Sequence, residues 1–251
     1  MRESLRLRGK FCCAVLLTAA ACTFMNAAWS QQSENQHAEE SPPPAIRMPL
    51  AIIENQGQTD PRVKFYLPGG RATVFFTPDE VVFKLVEPST AGPEEKKGIE
   101  QAMAPRQGVV IRMSFPGANP QVRLEAIDPL PGRINELRGN DPKNWRQDIA
   151  TFAGVVYRDL YPGIDLEYRT DSGELRRKLV VRDRRQLDKF QLRYVGTNEL
   201  RLGDKGLLEL VTPVGTIQEA PIAAVGPDKA ETVPALRYAV LGSDTVGLIQ
   251  Q

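Results

Sequence analysis

Beyond residue 49, apolar and polar positions alternate with a period of two in short runs. Runs at 63–67, 72–76, 81–86, 109–115, 122–126, 164–169, 174–181, 189–194, 199–202, 207–211, 216–218, 222–225 and 233–241 fit strands with one buried face. Turn signals separate them, among them Pro68-Gly69-Gly70, Gly139-Asn140-Asp141-Pro142, Pro162-Gly163 and Pro213-Val214-Gly215. Only 184–189 hints at a helical turn, and no repeat of fixed period is visible. Many short strands with little helix predict an all-β fold, an antiparallel β-sandwich occupying 49–251. Within it, 50–53 opens the ordered domain, and 222–225 is expected to pair with 233–241 across Gly226-Pro227-Asp228-Lys229. Segment 87–107 has no apolar period and carries Pro88, Pro93, Pro105 and the run Glu94-Glu95-Lys96-Lys97. It reads as a long surface loop, and more weakly as a sub-domain boundary.

The densest stretch runs from Tyr157 to Tyr168. Tyr161-Pro162-Gly163 makes a turn, after which Ile164, Leu166 and Tyr168 share one face and Asp165 and Glu167 the other. A two-residue loop at Asp171-Ser172 would bring 174–181 back with Glu167 opposite Arg176 and Asp165 opposite Lys178. The same register leaves Arg177 opposite Leu166, a charge on the apolar face. Two neighbouring carboxylates are the residue type of a glycoside hydrolase. A cation directly across the strand would instead keep each one ionised, the opposite of what a general acid needs. Asp165, Lys178, Glu167 and Arg176 are therefore expected to be structural ion pairs, while Asp159 lacks an assigned partner.

The first thirty residues follow a different pattern. Arg2, Arg6, Arg8 and Lys10 precede a charge-free apolar run at 11–25, and Ala28-Trp29-Ser30 offers small residues for cleavage before Gln31. This is the layout of a secretory signal peptide, and the run is too short to favour a spanning helix. A lipoprotein anchor at Cys22 is the minor alternative. The polar, proline-ending segment 31–48 reads as a disordered linker. Export is thus the expectation, to the periplasm, the cell surface or the medium, with no membrane span after cleavage.

Cleavage changes the chemistry available. Cys12, Cys13 and Cys22 all lie in the signal, and His37 lies in the linker. The folded part then holds neither cysteine nor histidine, which excludes disulfides, thiolate or imidazole metal sites, and Ser-His-Asp or Cys-His catalysis. The leader carries four basic residues and one acidic one, so the mature formal charge is −2 against +1 for the whole chain. That balance argues against nucleic-acid binding. No acidic cluster matches a calcium loop, and no cofactor or metal is expected.

Two surfaces could carry recognition. Glu54, Asn55, Gln56 and Gln58 offer amides and a carboxylate to a sugar or a protein, unless they serve the backbone of a polar turn. Asp159 and Tyr161 extend this candidate interaction surface, and Trp145 with Tyr157, Tyr161 and Tyr168 could form a stacking platform. The run Arg182-Asp183-Arg184-Arg185 reads as a solvated turn, or else as a patch for phosphate or an acidic glycan.

Four motifs in order, IIENQGQTDPRVKFY, DPLPG, RGNDPKNW and YRDLYPGIDLEY, resemble one known domain. It is the N-terminal domain of unknown function found ahead of SBBP-type (seven-bladed β-propeller) repeats in secreted bacterial proteins. The resemblance implies a secreted, β-rich module and supplies no catalytic residue. Relatives tend to read EYDF where this chain has Arg176-Arg177-Lys178-Leu179. An acidic residue opposite Asp165 would make a carboxylate pair fit for a cation or a proton, and Lys178 removes it. No propeller repeat follows 246–251, which implies a stand-alone copy or an interrupted reading frame, and a missing last strand would leave an open sheet edge. The function expected is a non-catalytic exported module with an extracellular protein or glycan partner. The alternative is a carbohydrate-active protein, either a glycan-binding module or a hydrolase using Asp159, Asp165 or Glu167.

Overall fold

In the computed structural model the alternating runs are strands, as their period requires. The structure describes residues 50–87, 107–228, 233 and 235–250. The signal-like segment, the linker and nearly all of the loop at 87–107 fall outside the described residues.

The first half of the domain comprises β1 (Ile52–Glu54), β2 (Phe65–Leu67), β3 (Ala72–Phe76), β4 (Glu80–Val86), β5 (Gly108–Ser114), β6 (Arg123–Glu136), β7 (Arg146–Tyr161) and β8 (Ile164–Asp171). The second half comprises β9 (Glu174–Val181), β10 (Gln191–Val195), β11 (Glu199–Leu202), β12 (Leu208–Thr212), β13 (Gly215–Glu219), β14 (Ala223–Val225), β15 (Leu236–Val240) and β16 (Thr245–Gln250). The helical turn expected at 184–189 is present as a 3₁₀ turn, Arg184–Lys189, with Asp183 capping its first N–H groups.

Thirteen strands form one mixed sheet that curls almost into a barrel, and β11, β12 and β13 form a separate three-stranded sheet. The chain is all-β, as its alternation predicts. A sandwich would divide the strands into two facing sheets, whereas here one continuous path runs from β14 through β7, β1 and β5 to β15. β4 and β5 pair from Glu80↔Ser114 to Val86↔Gly108, so the sheet is unbroken across the loop between them.

β7 is the junction of this sheet. Phe152 pairs with Ile52 of β1 and with Pro129 of β6, and Val155 pairs with Tyr168 of β8 and with Ala126 of β6. β6 therefore follows one edge of β7, while β1 and β8 share the other and diverge. Gly154 lies at the divergence, where a Cβ would come within 2.7 Å of the Tyr168 carbonyl and 2.9 Å of Ile127.

The inward positions of the strands fill the core. Ile52, Phe76, Ile111, Met113, Tyr157, Leu160, Ile164, Leu166 and Tyr194 are almost completely buried. Each such side chain contributes about 1.5–3 kcal/mol over its exposed state. Edge-to-face contacts link Phe115 to Tyr157 and Phe76 to Tyr168, at 5.2 and 5.3 Å between ring centres.

Three pairings differ from the sequence expectation. The β8–β9 loop is Ser172-Gly173, with Asp171 opposite Glu174, because both loop residues take positive φ (51° and 82°) as the tightest hairpin turn demands. This slides β9 two residues from the expected register but preserves its faces. β14 pairs with β9 in parallel and not with β15. Residues 245–250, outside the runs read from the alternation, form β16, hydrogen-bonded to β10 on one side and β15 on the other.

Candidate functional site

The YRDLYPGIDLEY stretch contains β7's last turn, a bulge and the start of β8. Tyr157 pairs with Leu166 and Tyr161 with Ile164, so three residues of β7 face the single residue Asp165. Asp159 takes φ 50° in this bulge, a conformation that aspartate tolerates better than most residues. Its N–H, turned from the ladder, donates to Asp165 Oδ1 at 2.8 Å. Pro162 and Gly163 (φ 74°) then reverse the chain.

Asp165 sits at the centre of a closed charge cluster. Its side chain is 1% exposed. Arg182 donates to both carboxylate oxygens, at 2.9 and 2.8 Å, and Arg158 donates to Oδ2 at 3.1 Å. Burial pushes the carboxyl group's pKa up, but the bonds from Arg182, Asp159 N–H and Arg158 outweigh it, and the net shift is downward. Arg182 also donates to the Asp159 carboxylate, which gives Asp159 its partner. The expected Asp165–Lys178 pair is absent, because in the observed register Asp165 faces Val180. Glu167 faces Lys178, with 3.3 Å between charged atoms, and also accepts from Arg169. Arg176 binds Glu174 at 3.2 Å instead of Glu167.

Of the residues expected to form an interaction surface, 54–58 bond largely within their own turn, and Asp159 and Tyr161 lie on β7. Asn55 donates to the carbonyls of Asp60 and Val63, both at 2.9 Å, and accepts from Gly57 and Thr59 N–H. Gln58 is buried and donates to the Glu54 carbonyl, and Gln56 Nε2 donates to the Glu54 carboxylate. Arg146 closes the loop with a bond to the Gln56 carbonyl. These amides hold their own turn. Tyr161 is buried and donates to the Pro116 carbonyl at 2.7 Å, and Tyr157 and Tyr168 are buried as well. None of the three can be a surface stacking platform. Trp145 donates to the Gly139 carbonyl. In the 182–185 run, Arg182 and Arg185 are bound to aspartates.

Sequence reasoning missed a second cluster inside the sheet. Arg177 projects from β9 into the interior, where Nη2 meets Glu219 and the hydroxyls of Tyr238 (2.7 Å) and Tyr194 (3.2 Å), and Nη1 meets Met113 Sδ. Tyr194 also donates to Glu219 at 2.9 Å. Burial pushes Tyr194 and Tyr238 upward, and Tyr168 to about 12, so all three remain protonated donors at neutral pH. Glu219 and the surrounding hydroxyls outweigh the burial that would discharge Arg177. The available signal was a single charge on an otherwise apolar face.

The four motifs thus mark a self-bonded loop, an irregular β6, the turn before β7 and the bulge around Asp165. A family profile for a domain of unknown function matches residues 52–247, from the first strand to the last. The chain belongs to the DUF7948 family. No curated protein matches it, nor does any solved structure. In this DUF7948 domain no group of three or more potential metal ligands occurs among the described residues. No helix among them is long and apolar enough to cross a membrane.

Proposed function

We propose that this chain is an exported, non-catalytic β module that serves in cell-surface or extracellular interaction or scaffolding. The observation that carries the non-catalytic part is the Asp165 cluster. The best-buried carboxylate of the central hairpin is held ionised by two arginines and a backbone N–H, and its neighbours Asp159 and Glu167 are bound by cations too. A general acid needs a raised pKa and a reachable proton, and Asp165 has neither. Positions 52–250 also contain no histidine or cysteine to act as base or nucleophile.

The layout of residues 1–30 supports export, and the motif order supports an origin ahead of SBBP-type propeller repeats in secreted bacterial proteins. Expression with the native leader, followed by fractionation and N-terminal sequencing, tests export. The expected product leaves the cytosol and begins at Gln31. An intact leader retained in the cytosol would refute it. Turnover of a glycoside panel that disappears in Asp165→Asn would overturn the non-catalytic reading.

A further inference from the structure

We propose that the cavity between the β8–β9 hairpin and segment 218–223 binds a neutral sugar. The cavity encloses about 530 Å³, within the size range of small-molecule sites. Four charged side chains line it, Glu174 and Arg176 at the outer end of β9 and Arg177 and Glu219 within. They cancel, so the wall offers no net field to a free anion or cation. It does offer donors and acceptors side by side, the pattern that a hydroxyl matches because a hydroxyl both gives and takes a hydrogen bond.

Arg177 and Glu219 keep 11% and 18% of their side chains exposed, so the pair is sheltered yet reachable. Arg177 has five N–H donors. Its contacts with oxygen all fall on Nη2 and its contact with sulfur on Nη1, so Nε–H takes part in none of these contacts. Tyr168 also lines the cavity, and its buried hydroxyl lies beside the Arg177 guanidinium without a hydrogen bond of good geometry. Cores rarely leave such a group unmet. Gln218 adds an exposed amide that also donates to Glu209 at 2.9 Å, and Phe83, Leu175 and Ile222 provide apolar wall for the carbon face of a sugar ring. The cavity thus offers, away from residues 54–58, the mixed donors and acceptors that a sugar hydroxyl would use. This names a ligand class for the non-catalytic module above, and it does not rest on export.

Saturation-transfer NMR on the purified protein tests the site. The probes are the methyl β-glycosides of glucose, galactose and mannose, N-acetylglucosamine, and sodium acetate and glucuronate as charged comparisons. Transfer to ring protons of at least one neutral sugar is expected. Ala220→Trp places an indole in the cavity from an exposed position and leaves the Arg177–Glu219 pair intact; it should weaken binding about tenfold or more. Gln218→Ala, on the surface of β13, should weaken it by about threefold and covers the case in which the tryptophan variant fails to fold. Absence of transfer to every neutral sugar, binding of the charged probes alone, or affinity unchanged in the folded variants would each overturn the proposal. Release of reducing ends from a bound disaccharide would leave the site standing and remove the non-catalytic reading. Absence of both binding and turnover would do the reverse.

Discussion

Asp165 stays ionised away from water because Arg182, Arg158 and the Asp159 N–H share its charge. Removing that charge leaves two arginines facing a neutral group. Asp165→Asn should therefore cost about 3 kcal/mol at neutral pH. The sign of its pH dependence follows from the lowered pKa. In the unfolded chain the group titrates near its ordinary value of about 3.9. Its contribution is complete above that value and is lost as pH falls toward the folded one. Urea unfolding at pH ~7 and pH ~3 should show the gap between parent and variant narrowing in acid; a gap that does not narrow would count against the assignment. The need of Asp165 and Glu167 for cations was legible in the alternation of charge across 165–178. The identity of the cations was not, because it depends on which two residues make the β8–β9 turn. Arg182 was also hidden, since it follows the end of β9 and reaches back to Asp165 and the β7 bulge.

At the scale of elements, the β7 bulge tells what a period of two can and cannot reveal. Most strands were legible because each has one buried face. The alternating run ends at 126, yet β6 continues to Glu136 with a register shift between Pro129 and Arg133. Among the described residues its only strand partner is β7, so its prolines can point their missing donors away from the ladder. The bulge at 158–160 breaks the alternation in the same way, and Asp159 pays with a positive φ. Asp159→Gly relieves the backbone and loses only an exposed contact with Arg182, so it should change stability by less than about 1 kcal/mol. Asp159→Val forces a β-branched residue into the left-handed region and should cost about 2 kcal/mol more. Thermal unfolding of the two variants measures this difference, and equal losses would contradict the bulge geometry.

Across the whole molecule, Arg177 connects strands that are distant in sequence. It leaves β9 and meets β5, β10, the end of β13 and β15. Arg177→Met strands Glu219 in a sheltered site and should cost about 3–5 kcal/mol. The double variant Arg177→Met/Glu219→Leu should recover most of that loss, and a thermodynamic cycle on the two positions measures the coupling. Purely additive losses would show that the pair is not one unit. The all-β class was legible from local pattern alone; the neighbours of each strand were not, because they are set by contacts far apart along the chain. β1 and β7 pair at positions roughly 100 residues apart, and β16 enters between β10 and β15. That arrangement has a kinetic consequence. β1 lacks one of its two neighbours until residues 151–152 are available, and β10 lacks one of its two until 245–247 are. Closing loops of this length comes before the contacts that reward it, so refolding should take milliseconds to seconds, the slow end for a single domain. Under the export proposed above, such delay would keep the chain open for passage across a membrane, and the sheet would close only after the journey.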